Sequence, residues 1–166
     1  MKFLPQATSE AHALKCELAG EVLRSSGSLR VRVTGWSMLP TIWPGDTLVI
    51  EPATSSGVVE GDIVLFDSGR RFVAHRVVSS GAVPGDAKVQ TQGDAVPRPD
   101  APVSGNLLGK VSYVVRNGKR IEPSRSLRRS ERAFAALFRK SKFAARVAVG
   151  VHGMRTTSLH QVEQSL

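Results

Sequence analysis

The chain has 166 residues, with 23 Lys and Arg against 14 Asp and Glu, a formal charge of +9. Its length suits one domain with a real hydrophobic core, and 41% hydrophobic residues with a mean hydropathy of -0.10 exclude both a mostly disordered chain and a polytopic membrane protein. The single cysteine, Cys16, excludes an internal disulfide, and four scattered histidines with it match no zinc spacing, so neither a metal nor any other cofactor is expected.

In chain order, Ala11, Leu14, Leu18 and Val22 recur at helical spacing until Ser25-Ser26-Gly27, which predicts a helix over about residues 9–24. Leu29, Val31 and Val33 alternate with polar residues as a half-buried strand does, and Gly35-Trp36-Ser37-Met38-Leu39-Pro40 breaks it. Strands are predicted over 47–51, over the short apolar run 63–66, over 72–78 and over 88–92, with Gly-Asp turns before the first two. Residues 93–102 form a Pro-rich loop holding Asp94 and Asp100. Two last strands, 109–115 and 119–121, are joined by an Asn117-Gly118 hairpin turn.

The charge is uneven. Residues 1–119 hold 13 basic and 11 acidic side chains, whereas residues 120–166 hold 10 and 3. Within the basic part, Leu127, Phe134, Leu137, Phe138, Ala145 and Ala148 fall on one side of a helical wheel, and Arg128, Arg132, Arg139, Lys142 and Arg146 on the other. This predicts two parts: a body over 1–122, and a basic amphipathic helix with a polar tail over 123–166. The helical segment, 125–151, either packs on the body or lies against anionic lipid, and membrane is preferred to nucleic acid as its partner. With no signal peptide and no apolar run long enough to span a bilayer, the expected location is cytoplasmic, peripheral to a membrane at most.

The informative stretch is Gly35-Trp36-Ser37-Met38-Leu39-Pro40-Thr41-Ile42-Trp43-Pro44-Gly45-Asp46. A lone serine here is more often a turn residue than a nucleophile. Two further blocks change that reading: Phe72-Val73-Ala74-His75-Arg76-Val77-Val78 after Gly61-Asp62, and Thr91-Gln92-Gly93-Asp94 with Asp100 six residues on. All three, in this order, resemble the serine peptidase superfamily of type I signal peptidases and self-cleaving SOS and phage repressors. His75, where many members have Lys, is similar to the archaeal and endoplasmic-reticulum type.

That resemblance implies a mainly β peptidase domain, a coiled antiparallel sheet or barrel, flanked here by the N-terminal and C-terminal helices. It implies a serine endopeptidase acting on a peptide or protein precursor, with Ser37 as nucleophile and His75 as general base. The chemistry agrees: a hydroxyl needs a base to take its proton, and imidazole, with an ordinary pKa of about 6.5, is largely neutral at pH 7. A carboxylate on the other ring nitrogen would fix the tautomer. Asp94 and Asp100 both qualify, with Asp94 slightly favoured because it sits in the Gly-Asp motif. Gly35 stands where many relatives carry a hydroxyl that helps hold the oxyanion, which leaves the Ser37 amide as donor. Gly35, Trp36 and Met38 are the expected oxyanion and substrate-binding surroundings, whereas Asp46 and Asp62 read as turn residues. Two other readings are a self-cleaving switch, with Ala19-Gly20 as the bond cut, and a catalytically silent module that docks by its basic tail to membrane or nucleic acid.

Overall fold

The computed structural model describes residues 6–81, 88–103 and 106–140. Helix α1 (Gln6–Ser26) leads into strands β1 (Leu29–Arg32), β2 (Thr47–Pro52), β3 (Ile63–Asp67), β4 (Phe72–Gly81), β5 (Lys88–Gln92), β6 (Leu107–Arg116) and β7 (Lys119–Ile121), followed by helix α2 (Arg129–Lys140). All strand pairings are antiparallel, in the order β1-β2-β6-β3-β4-β5, and β7 pairs with β6. The molecule is thus mainly β with a helix at either end, as expected.

Strand β3 is the centre of the packing. Its run Ile63-Val64-Leu65-Phe66 is buried at every position, because both faces of the sheet are covered there. Ile63 and Leu65 join Leu48, Ile50, Val111 and Val114 in one apolar cluster, whereas Val64 and Phe66 join Val58, Val77, Val89 and Val103 in a second. Side chains alternate along a strand, so an uninterrupted apolar run suits a strand buried on both sides. Irregular register between Val49 and Ile50, Leu65 and Phe66, and Val77 and Ser79 bends the sheet.

Helix α1 forms where its periodicity placed it, with a different face inward. Leu14 and Leu18 are each 55% exposed, whereas Ala19 and Leu23 are buried and Leu23 packs into the first cluster. The apolar spacing therefore identified the helix and not its contact face. Helix α2 begins at Arg129, inside the segment expected to be helical from 125. The remainder of that segment, 141–151, lies outside the described residues. Within α2, Ala135 is buried while Phe134 and Leu137 stand exposed. None of the described helices is long and apolar enough to cross a membrane.

Candidate active site

Ser37 stands in the segment between β1 and β2, held at both ends. Its downstream side is anchored by Met38, Leu39 and Ile42, all buried, and Ile42 N–H closes a turn on the Met38 carbonyl at 3.0 Å. Further on, buried Asp46 accepts the Trp43 N–H and both arms of the Arg116 guanidinium, at 2.9 and 2.7 Å, while Arg116 also donates to the Thr41 carbonyl. Asp46 is therefore a structural ligand of its own loop. Asp62 plays the same part in its turn, accepting from the Val59 N–H and pairing with Lys110 and Arg125.

His75 lies on β4 opposite Val64 of β3 and is only 6% exposed. Its Nε2 is 2.9 Å from Ser37 Oγ and its Nδ1 is 2.6 Å from Asp100 Oδ2. A carboxylate only accepts, so Nδ1 carries the proton that faces Asp100, and Nε2 presents its lone pair to the Ser37 hydroxyl. Asp100 is itself held: Thr91 Oγ1 donates to the same Oδ2 at 2.7 Å, and the Asp100 N–H donates to the Thr91 carbonyl at 2.7 Å. Burial acts to raise the Asp100 pKa. The hydrogen bonds from His75 and Thr91, and then the charge of the imidazole, outweigh it and keep the carboxyl below its ordinary value.

Asp94, the slightly favoured partner for His75, is engaged elsewhere, and this corrects the preference. It is 3% exposed and receives Arg76 in a fork, Nε to Oδ1 and Nη2 to Oδ2, each at 2.9 Å, with Thr41 Oγ1 donating to Oδ2 as well. Arg76 extends this network to the carbonyls of Gly61 and Ser124. Adjacent positions on β4 point to opposite faces, so His75 and Arg76 demand carboxylates on opposite sides of the sheet. The Gly-Asp motif supplies the one for Arg76, and the following loop supplies the one for His75.

Three residues to which the sequence reading gave no role shape the site. Thr91 is completely buried and orients Asp100. Gly93 backs the dyad so closely that a Cβ there would lie 2.6 Å from the Ser37 carbonyl oxygen and 2.9 Å from His75 Nε2. Ala95 N–H donates to the Ser37 carbonyl at 2.8 Å, which fastens the Ser37 segment to the loop after β5. The signals were present as a polar residue on an inward strand position and a glycine in the third block.

The dyad opens into a cleft of about 590 Å³. Val31, Val33, Thr34, Arg71, Phe72 and Ala74 line it, together with the buried apolar Met38, Leu48 and Leu65. Met38 is thus both core and site lining. Trp36 stands at the rim, 37% exposed, and a Cβ on Gly35 would meet no atom, so the space beside Ser37 is open. The Ser37 N–H makes no backbone hydrogen bond among the described residues, which leaves it available to an oxyanion.

Residues 5–84 match the Peptidase S24-like family. That span carries α1, the Ser37 segment and β4 through His75, and ends before Thr91, Asp94 and Asp100. No curated protein and no solved structure gives a match.

Proposed function

From the match of residues 5–84 to the Peptidase S24-like family, we propose that this chain belongs to the superfamily of signal peptidases and self-cleaving repressors and is a serine endopeptidase in which Ser37 attacks, His75 takes the proton and Asp100 holds the imidazole. The observation that carries the reading is the unbroken chain from Ser37 Oγ through both nitrogens of His75 to Asp100, at 2.9 and 2.6 Å. Attack on a peptide carbonyl moves the hydroxyl proton to Nε2, and the imidazolium so formed sits against an ionised carboxylate. The Ser37 N–H meets the developing oxyanion. Collapse of the tetrahedral intermediate passes the proton from Nε2 to the leaving amine and leaves an acyl-Ser37, which water then hydrolyses by the same route.

The substrate enters as an extended segment. Strand β1 ends the sheet order, and its residues line the cleft, so a peptide laid along it adds one more antiparallel or parallel strand. The resemblance to signal peptidases favours small residues just before the scissile bond in a precursor protein. The test is a peptide-library digest with wild type and Ser37→Ala. Cleavage by wild type alone supports the proposal, and equal cleavage by both, or none by either, overturns it.

The basic C-terminal segment serves as a lipid-docking element in the same reading. The exposed Phe134 and Leu137 of α2, beside a run rich in arginine, support this. Sedimentation with anionic vesicles is expected to carry the protein down at low salt, and Phe134→Ser with Leu137→Ser to leave it in solution. Self-cleavage at Ala19-Gly20 is disfavoured, because that bond lies inside α1 with Ala19 buried, whereas a scissile bond must be extended. Incubating the pure protein at alkaline pH and sequencing any fragment that begins at Gly20 tests that alternative.

A further inference from the structure

A second cluster of reactive side chains lies away from the dyad, where α1 crosses the β3–β4 hairpin. His12 and Cys16 are one helical turn apart on the inward face of α1, and Asp67 ends β3. His12 Nε2 is 2.6 Å from Asp67 Oδ1, Cys16 Sγ is 3.3 Å from Asp67 Oδ2, and Sγ is 3.6 Å from the same Nε2. One nitrogen, one sulfur and one carboxylate therefore converge on a single point.

We propose that His12, Cys16 and Asp67 form a binding site for a thiolate-accepting divalent ion of the zinc type, with a fourth position facing solvent. Metal–ligand distances of about 2.3 Å to sulfur and about 2.0–2.2 Å to nitrogen and oxygen, at tetrahedral angles, put such donors about 3.4–3.6 Å apart. The Sγ–Nε2 separation already has that value, and one ligand atom from each of the three residues lies within 4.8 Å of the other two, so small side-chain adjustments bring the set onto one ion. A soft sulfur with an imidazole excludes magnesium and calcium, which take oxygen.

The surroundings suit ligation. The side chains of His12 and Asp67 are only 15% and 24% exposed. Gly69 N–H donates to Asp67 Oδ1 and fixes the carboxylate, as outer partners of metal ligands do. The Phe72 ring packs against the His12 ring, with centroids 5.9 Å apart. Without a cation, burial and then the Asp67 carboxylate push the Cys16 thiol up, so it stays protonated. On binding, the thiol proton passes to the buffer as the sulfur–metal bond forms, and the imidazole adopts its Nδ1–H tautomer to turn the Nε2 lone pair toward the ion. The ion would rivet α1 to the hairpin that carries His75. The spacing of the two α1 residues alone cannot reveal the site, because the third donor comes from 51 positions along the chain from Cys16.

The test is a cobalt(II) titration of the full chain after chelator treatment, followed by displacement with zinc. Cys16 is the only cysteine, so a thiolate-to-cobalt charge-transfer band reports this site alone. The expected result is such a band saturating at one ion per chain, bleached by zinc, with a higher melting temperature for the loaded protein. Ser37→Ala should bind identically, which separates this proposal from the peptidase reading. Loss of His12 (His12→Gln) or of Asp67 (Asp67→Asn) should weaken binding by more than the roughly 10- to 100-fold that removing an outer partner costs. Absence of the band in wild type, half an ion per chain, or unchanged affinity in both variants would overturn the site. The first two readouts need no variant to fold.

Discussion

In the proposed mechanism the Asp100 carboxylate has two tasks, to keep His75 in the tautomer that can accept the Ser37 proton and to balance the imidazolium that follows. Asp100→Asn retains the shape while reversing one hydrogen bond, and a Ser-His-Asp arrangement so altered loses roughly three to four orders of magnitude in kcat. Steady-state kinetics on a cleaved library peptide would measure this, with KM little changed. The same carboxylate links stability to pH. Folding lowers its pKa, so its contribution is complete above the ordinary Asp value of about 3.9 and disappears as pH falls through the lower folded value. Wild type should therefore be more stable than Asp100→Asn near neutrality, and urea melts of the two should converge in acid. A gap that persists unchanged in strong acid would mean that ionisation is not its source. Gly93 sets a steric condition on the same group of atoms. In Gly93→Ala the added methyl meets the Ser37 carbonyl and the His75 ring, so activity should fall at least a hundredfold even in the fraction that remains folded by circular dichroism.

Among the elements, the β4–β5 pair carries two unlike carboxylate contacts, and they call for different experiments. Arg76 with Asp94 is a buried ion pair whose guanidinium also satisfies carbonyls in two other loops. Removing one partner of such a pair costs about 3–5 kcal/mol. Asp94→Ala should thus show a large drop in the urea midpoint, whereas Asp100→Asn chiefly affects turnover. On α1 the contrast is between faces. Leu23→Ala empties a place in the core and should cost about 2–5 kcal/mol, while Leu18→Glu on the exposed face should change stability by no more than about 0.5 kcal/mol. Strand existence was legible because period-2 patterns and Gly-Asp or Asn-Gly turns are local signals. β5 and β7 fall on their predicted residues, and Ser37 and His75, which the fold brings together, each stand in a motif that singled them out. The inward face of α1 was not legible, since two faces of that helix carry apolar residues and only the sheet beneath decides between them. Nor was the choice between Asp94 and Asp100, which depends on which side of β4 each loop carboxylate reaches. That is a property of strand pairing and not of either aspartate's neighbours in sequence.

For the molecule as a whole, net charge and chemistry separate. The near-neutral body contains the cleft, while most of the +9 lies beyond residue 119, so salt should alter where the protein binds more than how fast a bound peptide is cut. The cleft, in turn, belongs to no single piece of chain. Ser37 precedes His75 by 38 positions and Asp100 follows His75 by 25. The three meet only when the segment after β1, the strand β4 and the loop after β5 have docked, and Gly93 and Ala95 hold that loop against the Ser37 segment. Contacts so distant along the chain form late, because the entropy of closing each long loop must be met first. A nascent or partly unfolded copy therefore has a serine, a histidine and an aspartate that do not yet meet. On the proposed mechanism, the topology itself withholds activity until the three segments have docked.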